Sequence, residues 1–346
     1  MSAVGGDTKR ERSRCEILLR SSRHPLVARL ADGLAEAGVA MDERLVLLVS
    51  GGGDSLALLV LMAALRERTD PALDSLAVLS VDHGLRAEAE EECAHAMSVA
   101  QMLGVRCAGT VRVEVARSGN LLDAARAARL AAVERFAARH AIGTALLAHH
   151  ADDLAESILI GLARGAGLAS LASLLPRREY GAALHLVRPL LGARRNELRA
   201  FLREVGVPWR DDPSNALHAR GGLRSDPSLA ALVDSIALGA GRLAEEARRV
   251  LELRDAEIAK VLSKVERGAS VPRAALEEVH PSILEPLLRI FTRREGIDLP
   301  QRAAAAIVDA LARRQRAPKR FACAGGVVVE LDARRLAIIR AAATDA

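Results

Sequence analysis

The feature that most constrains the fold is a repeated switch of hydrophobic period. Leu45–Val49 is a short, continuous, β-rich apolar run that ends at Ser50 and three glycines, and Leu56–Arg68 then reads as a helix. Leu76–Val81 is a second such run, ending at Asp82, and Ala87–Leu103 is a helix closed by Gly104. Val111–Val115 is a third run, followed by the Ala/Arg-rich helix Leu121–His140. Thr144–Ala148 is a fourth, ending at His149 and His150, with a helix from Asp152 to Leu162. Short apolar runs without alternation mark strands buried on both faces. Strands that alternate with helices over short connections predict an α/β fold with a doubly wound, mostly parallel sheet. Ligands in such sheets bind beyond the carboxyl ends of the strands. The unusual polar clusters of this half fall there: SGGGDS, DHGLR and AHHADD.

The remainder is organised differently. Pro25–Ala37 has helical periodicity, within an expected N-terminal helical extension over 1–40. Leu168 to Pro208 is irregular, with a helix near Asn196–Val205. The turn-rich stretch from Pro208 to Pro227 places a boundary after residue 215, so the α/β domain is expected over 41–215. Residues 216–346 are then a helical linker, Leu229–Ser263, interrupted near Gly239 and Gly241, and a small C-terminal α+β domain. That domain closes on a hairpin of Gly325–Glu330 and Arg335–Arg340 around Asp332 and Ala333.

Composition excludes several classes. Half the residues are hydrophobic, enough for a real core, so global disorder is excluded. No apolar run approaches the ~20 residues that span a bilayer. The N-terminus carries charge but no apolar signal region, so a cytoplasmic location and no membrane partner are expected. The net charge of +5 permits a polyanionic partner without requiring one. Cys15, Cys93, Cys107 and Cys323 include no C-x-x-C pair, which disfavours iron–sulfur and zinc-ribbon sites; buried free thiols are expected.

The polar clusters suggest chemistry. In SGGGDS, Gly51, Gly52 and Gly53 let backbone N–H groups converge on an anion, and the following helix adds its positive dipole end. The alternative is a tight turn and no more. The motif lacks the P-loop lysine, and Asp54 is placed to hold magnesium beside phosphates. Asp152 and Asp153 open a helix, and Glu156 shares a face with Asp153. Alone, either Asp reads equally as a favourable first-turn carboxylate. His149 or His150 could hold phosphate or position an acceptor, and Asp82 and His83 end the second strand. Arg126 and Arg129 share a helix face, either solvated or facing phosphate. Arg313, Arg314, Arg316, Lys319 and Arg320 are five cations in eight residues, either a solvated helix end or a phosphate contact. Trp209 is the only large stacking platform and could equally be core.

S-G-G-x-D-S after a strand resembles the pyrophosphate-loop ATPases, which cleave ATP to AMP and pyrophosphate while adenylating an acceptor. VDHGLR, NLLDAARAARL, AHHADDLAES, LARGAGLASLASL, RPLL and WRDDPSN follow in order. Together, over about residues 44–224, they are similar to the bacterial tRNA(Ile)-lysidine synthetase family. The resemblance implies an adenine-nucleotide α-hydrolase-like fold. It implies adenylation of the C2 carbonyl oxygen of the wobble cytidine in a CAU-anticodon tRNA(Ile), and displacement of AMP by the ε-amine of L-lysine. ATP and Mg2+ are then required, and a homodimer is open. Carried over, Ser50, Gly51, Gly52, Gly53, Asp54, Ser55, Asp82, His83 and His149 bind ATP. Asp54, Asp153, Glu156, Arg126 and Arg129 form the catalytic set, with Asp153 and Glu156 on lysine and Asp54 and Asp152 on the metal. Arg220, Arg224, Arg313, Arg314 and Arg316 contact tRNA. One departure stands out: after DPSN, ALHARGGLR lacks the family's Asp and aromatic and is about two residues short. The alternatives are a sulfur-inserting tRNA thiolase of the same superfamily, an amidotransferase-type synthetase, or a non-catalytic RNA-binding relic.

Overall fold

The central strand β1 (Leu45–Leu48) shows why the chain forms layers: Leu45 and Leu47 enter one core, while Val46 enters another on the opposite face. Alternate residues of a strand point to opposite faces, so a run apolar at every position needs cover on both. The computed structural model describes residues 3–67, 70, 73–82, 88–105, 107–113, 121–165, 167–172, 174–181, 183–210, 219–263, 270–323 and 327–340. The first unit, Met1–Arg248, opens with helices α1 (Ala3–Ser21) and α2 (Pro25–Glu36). Then β1, α3 (Gly53–Arg66), β2 (Leu76–Asp82), α4 (Glu88–Met102), β3 (Cys107–Arg112), α5 (Leu121–Arg139), β4 (Thr144–Leu146) and α6 (Ala151–Ala163) alternate. After α7 (Leu168–Leu171) come β5 (Arg177–Tyr180), β6 (Leu184–Val187), α8 (Arg195–Val205) and α9 (Ala219–Ser225).

The six strands lie in the order β3-β2-β1-β4-β6-β5. All pairs are parallel except β5 with β6. Residues of α1, α2, α3, α4 and α8 form the core on one face, and α5 covers the other. The α/β expectation holds. The chain leaves β1 toward β2 on one side and returns to β4 on the other, so the topological switch point lies between the carboxyl ends of β1 and β4.

Three details differ from expectation. The third strand is Cys107–Arg112, not Val111–Val115, with Ala77 opposite Cys107 and Asp82 opposite Arg112; residues 114–120 lie outside the described residues. The stretch read as irregular contains the β5–β6 hairpin, and β6 extends the parallel sheet. Helix α3 starts at Gly53, three residues early, which brings Asp54 and Ser55 into its first turn. Of the four cysteines, all free, only Cys93 is buried, and Cys15 is exposed.

The second unit is Arg249–Ala346; the division falls within the continuous helix α10 (Pro227–Ser263), whereas the sequence suggested a boundary after 215. This unit comprises the end of α10, β7 (Ser270–Pro272), α11 (Arg273–Glu277), α12 (Pro281–Arg294), α13 (Gln301–Ala312), β8 (Lys319–Ala322), β9 (Val327–Leu331) and β10 (Arg335–Arg340). Its sheet has the order β7-β10-β9-β8, all antiparallel. The expected hairpin is β9–β10. Its turn is closed by Asp332, whose Oδ1 accepts from the backbone N–H groups of Arg334 and Arg335 at 2.6 and 2.7 Å.

Candidate active site

Two strand ends at the switch point build the site. After β1, Gly51 has φ +84°, and a Cβ there would sit 2.5 Å from the Glu92 carbonyl oxygen of α4. Only glycine fits both demands. Ser55 Oγ accepts from the Ser50 N–H at 3.1 Å and donates to the Gly52 carbonyl at 2.9 Å, which folds the loop back onto α3. Gly52 caps α3 without a side-chain hydrogen bond. The first-turn N–H groups of a helix have no intrahelical partners and attract anions. Trp209 packs beside this turn, its Cδ1 3.2 Å from the place a Gly53 Cβ would take, with the Arg203 guanidinium 5.6 Å from the ring centre.

After β4, His150 turns the chain into α6, and its backbone N–H donates to Asp153 Oδ2 at 3.1 Å. Its side chain is fully buried among three carboxylates. Nε2 lies 3.4 Å from both Asp54 Oδ2 and Asp153 Oδ2, and Nδ1 lies 3.4 Å from Asp152 Oδ2. At that separation these are charge contacts rather than aligned hydrogen bonds. Burial alone would lower the imidazole pKa, but Asp153, Asp152 and Asp54 outweigh it and push it up to about 9. His150 is therefore an imidazolium at neutral pH.

A ring of arginines closes the cluster. Arg194 donates from Nη2 to Asp152 Oδ1 at 3.0 Å, and the Arg195 backbone N–H donates to Oδ2 at 2.9 Å. Burial opposes ionisation of Asp152, yet His150, Arg194 and the Arg195 N–H together hold its carboxyl well below the ordinary range. Glu156 is fully buried and accepts from Arg195 Nη2 at 3.1 Å and from Arg224 Nε and Nη2 at 2.8 and 2.9 Å. Arg224 Nη2 also reaches Asp153 Oδ1 at 3.3 Å.

The expected residues are only partly brought together. Ser50 to Ser55, Asp153 and Glu156 share the switch point, with His149 half-buried beside them. His150 lies between Asp54 and Asp152, the two carboxylates expected on the metal, and the Asp152 oxygens face Arg194, Arg195 and His150. Asp54 Oδ1, by contrast, is buried without a hydrogen-bond partner among the described residues. Mg2+ prefers one or two carboxylates with waters and phosphate oxygens, which fits Asp54 and not Asp152. Arg224, expected to contact tRNA, bonds Glu156 and Asp153. Asp82 is buried at the end of β2, with Arg112 Nε at 3.8 Å; His83 lies outside the described residues, as does the side chain of Arg220. Arg126 and Arg129 are exposed on α5. In the second unit, Arg313 pairs with Asp309 at 2.7 Å, Arg316 with Glu277 at 3.5 Å, and Arg314 is exposed at φ +52°.

The sequence reading missed Arg194, Arg195 and the central role of His150. A signal was present: Arg194 and Arg195 open α8, where the helix dipole disfavours cations. Such a pair requires carboxylates from elsewhere in the fold.

A family profile described as the PP-loop domain matches residues 24–225. A tRNA(Ile)-lysidine synthase of Mycolicibacterium paratuberculosis is 35% identical over 273 residues, covering 77% of this chain and 79% of that protein. The chain belongs to the tRNA(Ile)-lysidine synthase family. Another synthase of that name, from Ruegeria pomeroyi, is 41% identical over 213 residues, 62% of this chain and 50% of its own length. One from Pseudomonas aeruginosa is 38% identical, covering 78% of this chain and 60% of its own. The chain thus spans about half the length of several synthases it matches. Among solved structures, a U34-tRNA thiolase from Methanococcus maripaludis superposes with TM-score 0.51 at 15% identity, over 65% of this chain and 78% of that one, a likeness of fold alone. Among the described residues no helix of a lysidine-synthase-like chain such as this is long and apolar enough to cross a membrane.

Proposed function

We propose that the chain ligates L-lysine to C2 of the wobble cytidine of a CAU-anticodon tRNA(Ile), consuming ATP and releasing AMP and pyrophosphate. The observation that carries this reading is the facing of an anion cradle, Ser50–Ser55, and a buried carboxylate cluster, Asp153 and Glu156, across one switch point. The cradle suits the polyphosphate of ATP, through backbone N–H groups and the positive end of α3. Asp54, whose Oδ1 has no hydrogen-bond partner among the described residues, would hold Mg2+, which would supply charge stabilisation to the departing pyrophosphate. His150 offsets the charges of Asp54, Asp152 and Asp153, each 3.4 Å from its ring nitrogens. Asp153 and Glu156 are the carboxylates we assign to the lysine cation. Arg224 holds both, so lysine binding there exchanges one cation for another. Arg313, Arg314 and Arg316 are assigned to tRNA phosphates. Sulfur insertion fits less well, because no two cysteines have C-x-x-C spacing.

The test is AMP release from ATP with purified protein, the tRNA and lysine, each omitted in turn, with nucleoside mass spectrometry of the recovered tRNA. AMP release that depends on tRNA, with cytidine gaining the mass of lysine less water, supports the reading. Asp54→Ala should abolish AMP release. AMP release without lysine incorporation would move the acceptor elsewhere, and no AMP with any acceptor would overturn the reading.

A further inference from the structure

On the opposite side of the sheet from α3, three arginines from three elements lie together, and among the described residues no carboxylate pairs with the buried one. The strand register places them. Arg178 of β5 is opposite Leu186 of β6, and directly opposed residues point to the same face. Leu186 belongs to the core under α5, so Arg178 is on the α5 face. Arg177, opposite Val187, is on the other face, and its Nη1 donates at 2.9 Å to the Ala37 carbonyl at the end of α2. Arg188, two residues beyond Leu186, returns to the α5 face, roughly 7 Å nearer the carboxyl edge. Helix α5 meets the β5–β6 turn at Glu134, since a Cβ on Gly181 would collide with the Glu134 carboxylate. Arg126 lies eight residues earlier on α5, about 12 Å toward that edge. Strand β6 climbs roughly 13 Å from Leu184 to Arg188. The two arginines therefore reach one level.

Arg188 is the unusual member. It is 2% exposed, yet no carboxylate pairs with it among the described residues. Nη1 donates to the Leu175 carbonyl at 2.7 Å, while Nε is buried with no partner among the described residues. Burial, then the charges of Arg126 and Arg178, lower its pKa to about 10. A buried cation crowded by two more is costly unless an anion arrives. Guanidinium forks match phosphate oxygens in charge and geometry.

We propose that Arg126, Arg178 and Arg188 form a second oxyanion site, at the carboxyl end of β6 and on the α5 face, that takes a phosphate group. The phosphate belongs either to the polyphosphate of a nucleotide or to an RNA backbone, and the experiment separates these. Its RNA arm rests on the function proposed above; its nucleotide arm does not. Arg178 is exposed, so Arg178→Met leaves the fold intact. Arg188→Met keeps volume and removes the buried charge.

The full chain and both variants are titrated with a non-hydrolysable ATP analogue and, separately, with a short anticodon stem-loop RNA over a range of salt. A roughly ten-fold loss of analogue affinity in both variants assigns the site to the nucleotide. Unchanged analogue affinity, with a salt dependence of RNA binding shallower by about one phosphate contact, assigns it to the RNA backbone. If both variants hold analogue and RNA as wild type does, within two-fold and with the same salt slope, the site does not exist and Arg188 only ties β6 to Leu175. A third readout guards against misfolding of Arg188→Met. Saturating inorganic pyrophosphate should raise the melting temperature of wild type more than that of the folded variant, and equal increments count against the site. A chain inactive in lysidine formation can still pass or fail these titrations, so the two readings fail separately.

Discussion

His150 makes the stability of the first unit depend on pH in a window where few proteins change. In the folded chain its pKa is about 9, raised from the ordinary value of 6.5 by Asp153, Asp152 and Asp54 against the opposing effect of burial. A group whose folded pKa is raised contributes stability fully present below its unfolded pKa, and that stability is lost as pH rises through the folded pKa. The shift of about 2.5 units corresponds to roughly 3 kcal/mol, present below pH 6.5 and gone above about pH 9. In the middle of that window one proton separates the two states, so stability should fall by about 1.4 kcal/mol per pH unit. The comparison is with His150→Gln, which keeps a polar side chain but cannot titrate. Urea unfolding of both proteins at pH 6.5, 7.5, 8.5 and 9.5, in chelator-treated buffer, gives the two profiles. Wild type should start roughly 3 kcal/mol more stable and converge on the variant by pH 9.5. Parallel profiles would refute the argument, as would an imidazole resonance of His150 that titrates near 6.5.

Other perturbations follow from the same site. Glu156→Gln removes a buried charge that three guanidinium hydrogen bonds hold; a loss of roughly 3 kcal/mol is expected by urea unfolding, since Arg195 and Arg224 keep only Asp153 to offset them. A loss under 1 kcal/mol would mean those arginines find water instead. Gly51→Ala places a methyl 2.5 Å from the Glu92 carbonyl at φ +84°. It should weaken ATP binding at least ten-fold by calorimetry, because the loop must open to relieve the clash. Phe201→Ala, at a fully buried side chain 4.8 Å from the His24 ring, should cost about 3–5 kcal/mol in the same unfolding assay without moving ATP affinity.

How far the sequence reveals this molecule depends on the range of the interaction. The strands β1, β2 and β4 are legible because each is a short, nearly continuous apolar run that ends in a polar cluster, and those clusters mark the carboxyl edge of the sheet. Strand β5, Arg177–Tyr180, is invisible as a strand: three of its four residues are charged, and it sits at the sheet edge where only one neighbour demands pairing. β3 was misplaced because Cys107–Arg112 is half-buried and mixed in character, whereas Val111–Val115 looks more regular. Within the site, the loop glycines and the acidic start of α6 are local patterns and were found. The arginine ring was not, since Arg194, Arg195 and Arg224 meet their carboxylates across 39 to 71 residues of chain. Side chains paired at that distance leave no periodic trace.

The placement of Trp209 has a practical consequence. It is the only tryptophan of the chain, and its indole edge touches the turn that begins α3. A ligand that settles into that turn shifts the dipoles and the guanidinium around one indole alone. The intrinsic emission of the unlabelled protein is therefore a single-site optical reporter, with no second tryptophan to dilute it. Occupancy of the loop can be followed in real time, on the very chain whose chemistry is in question, by exciting at the red edge of protein absorption.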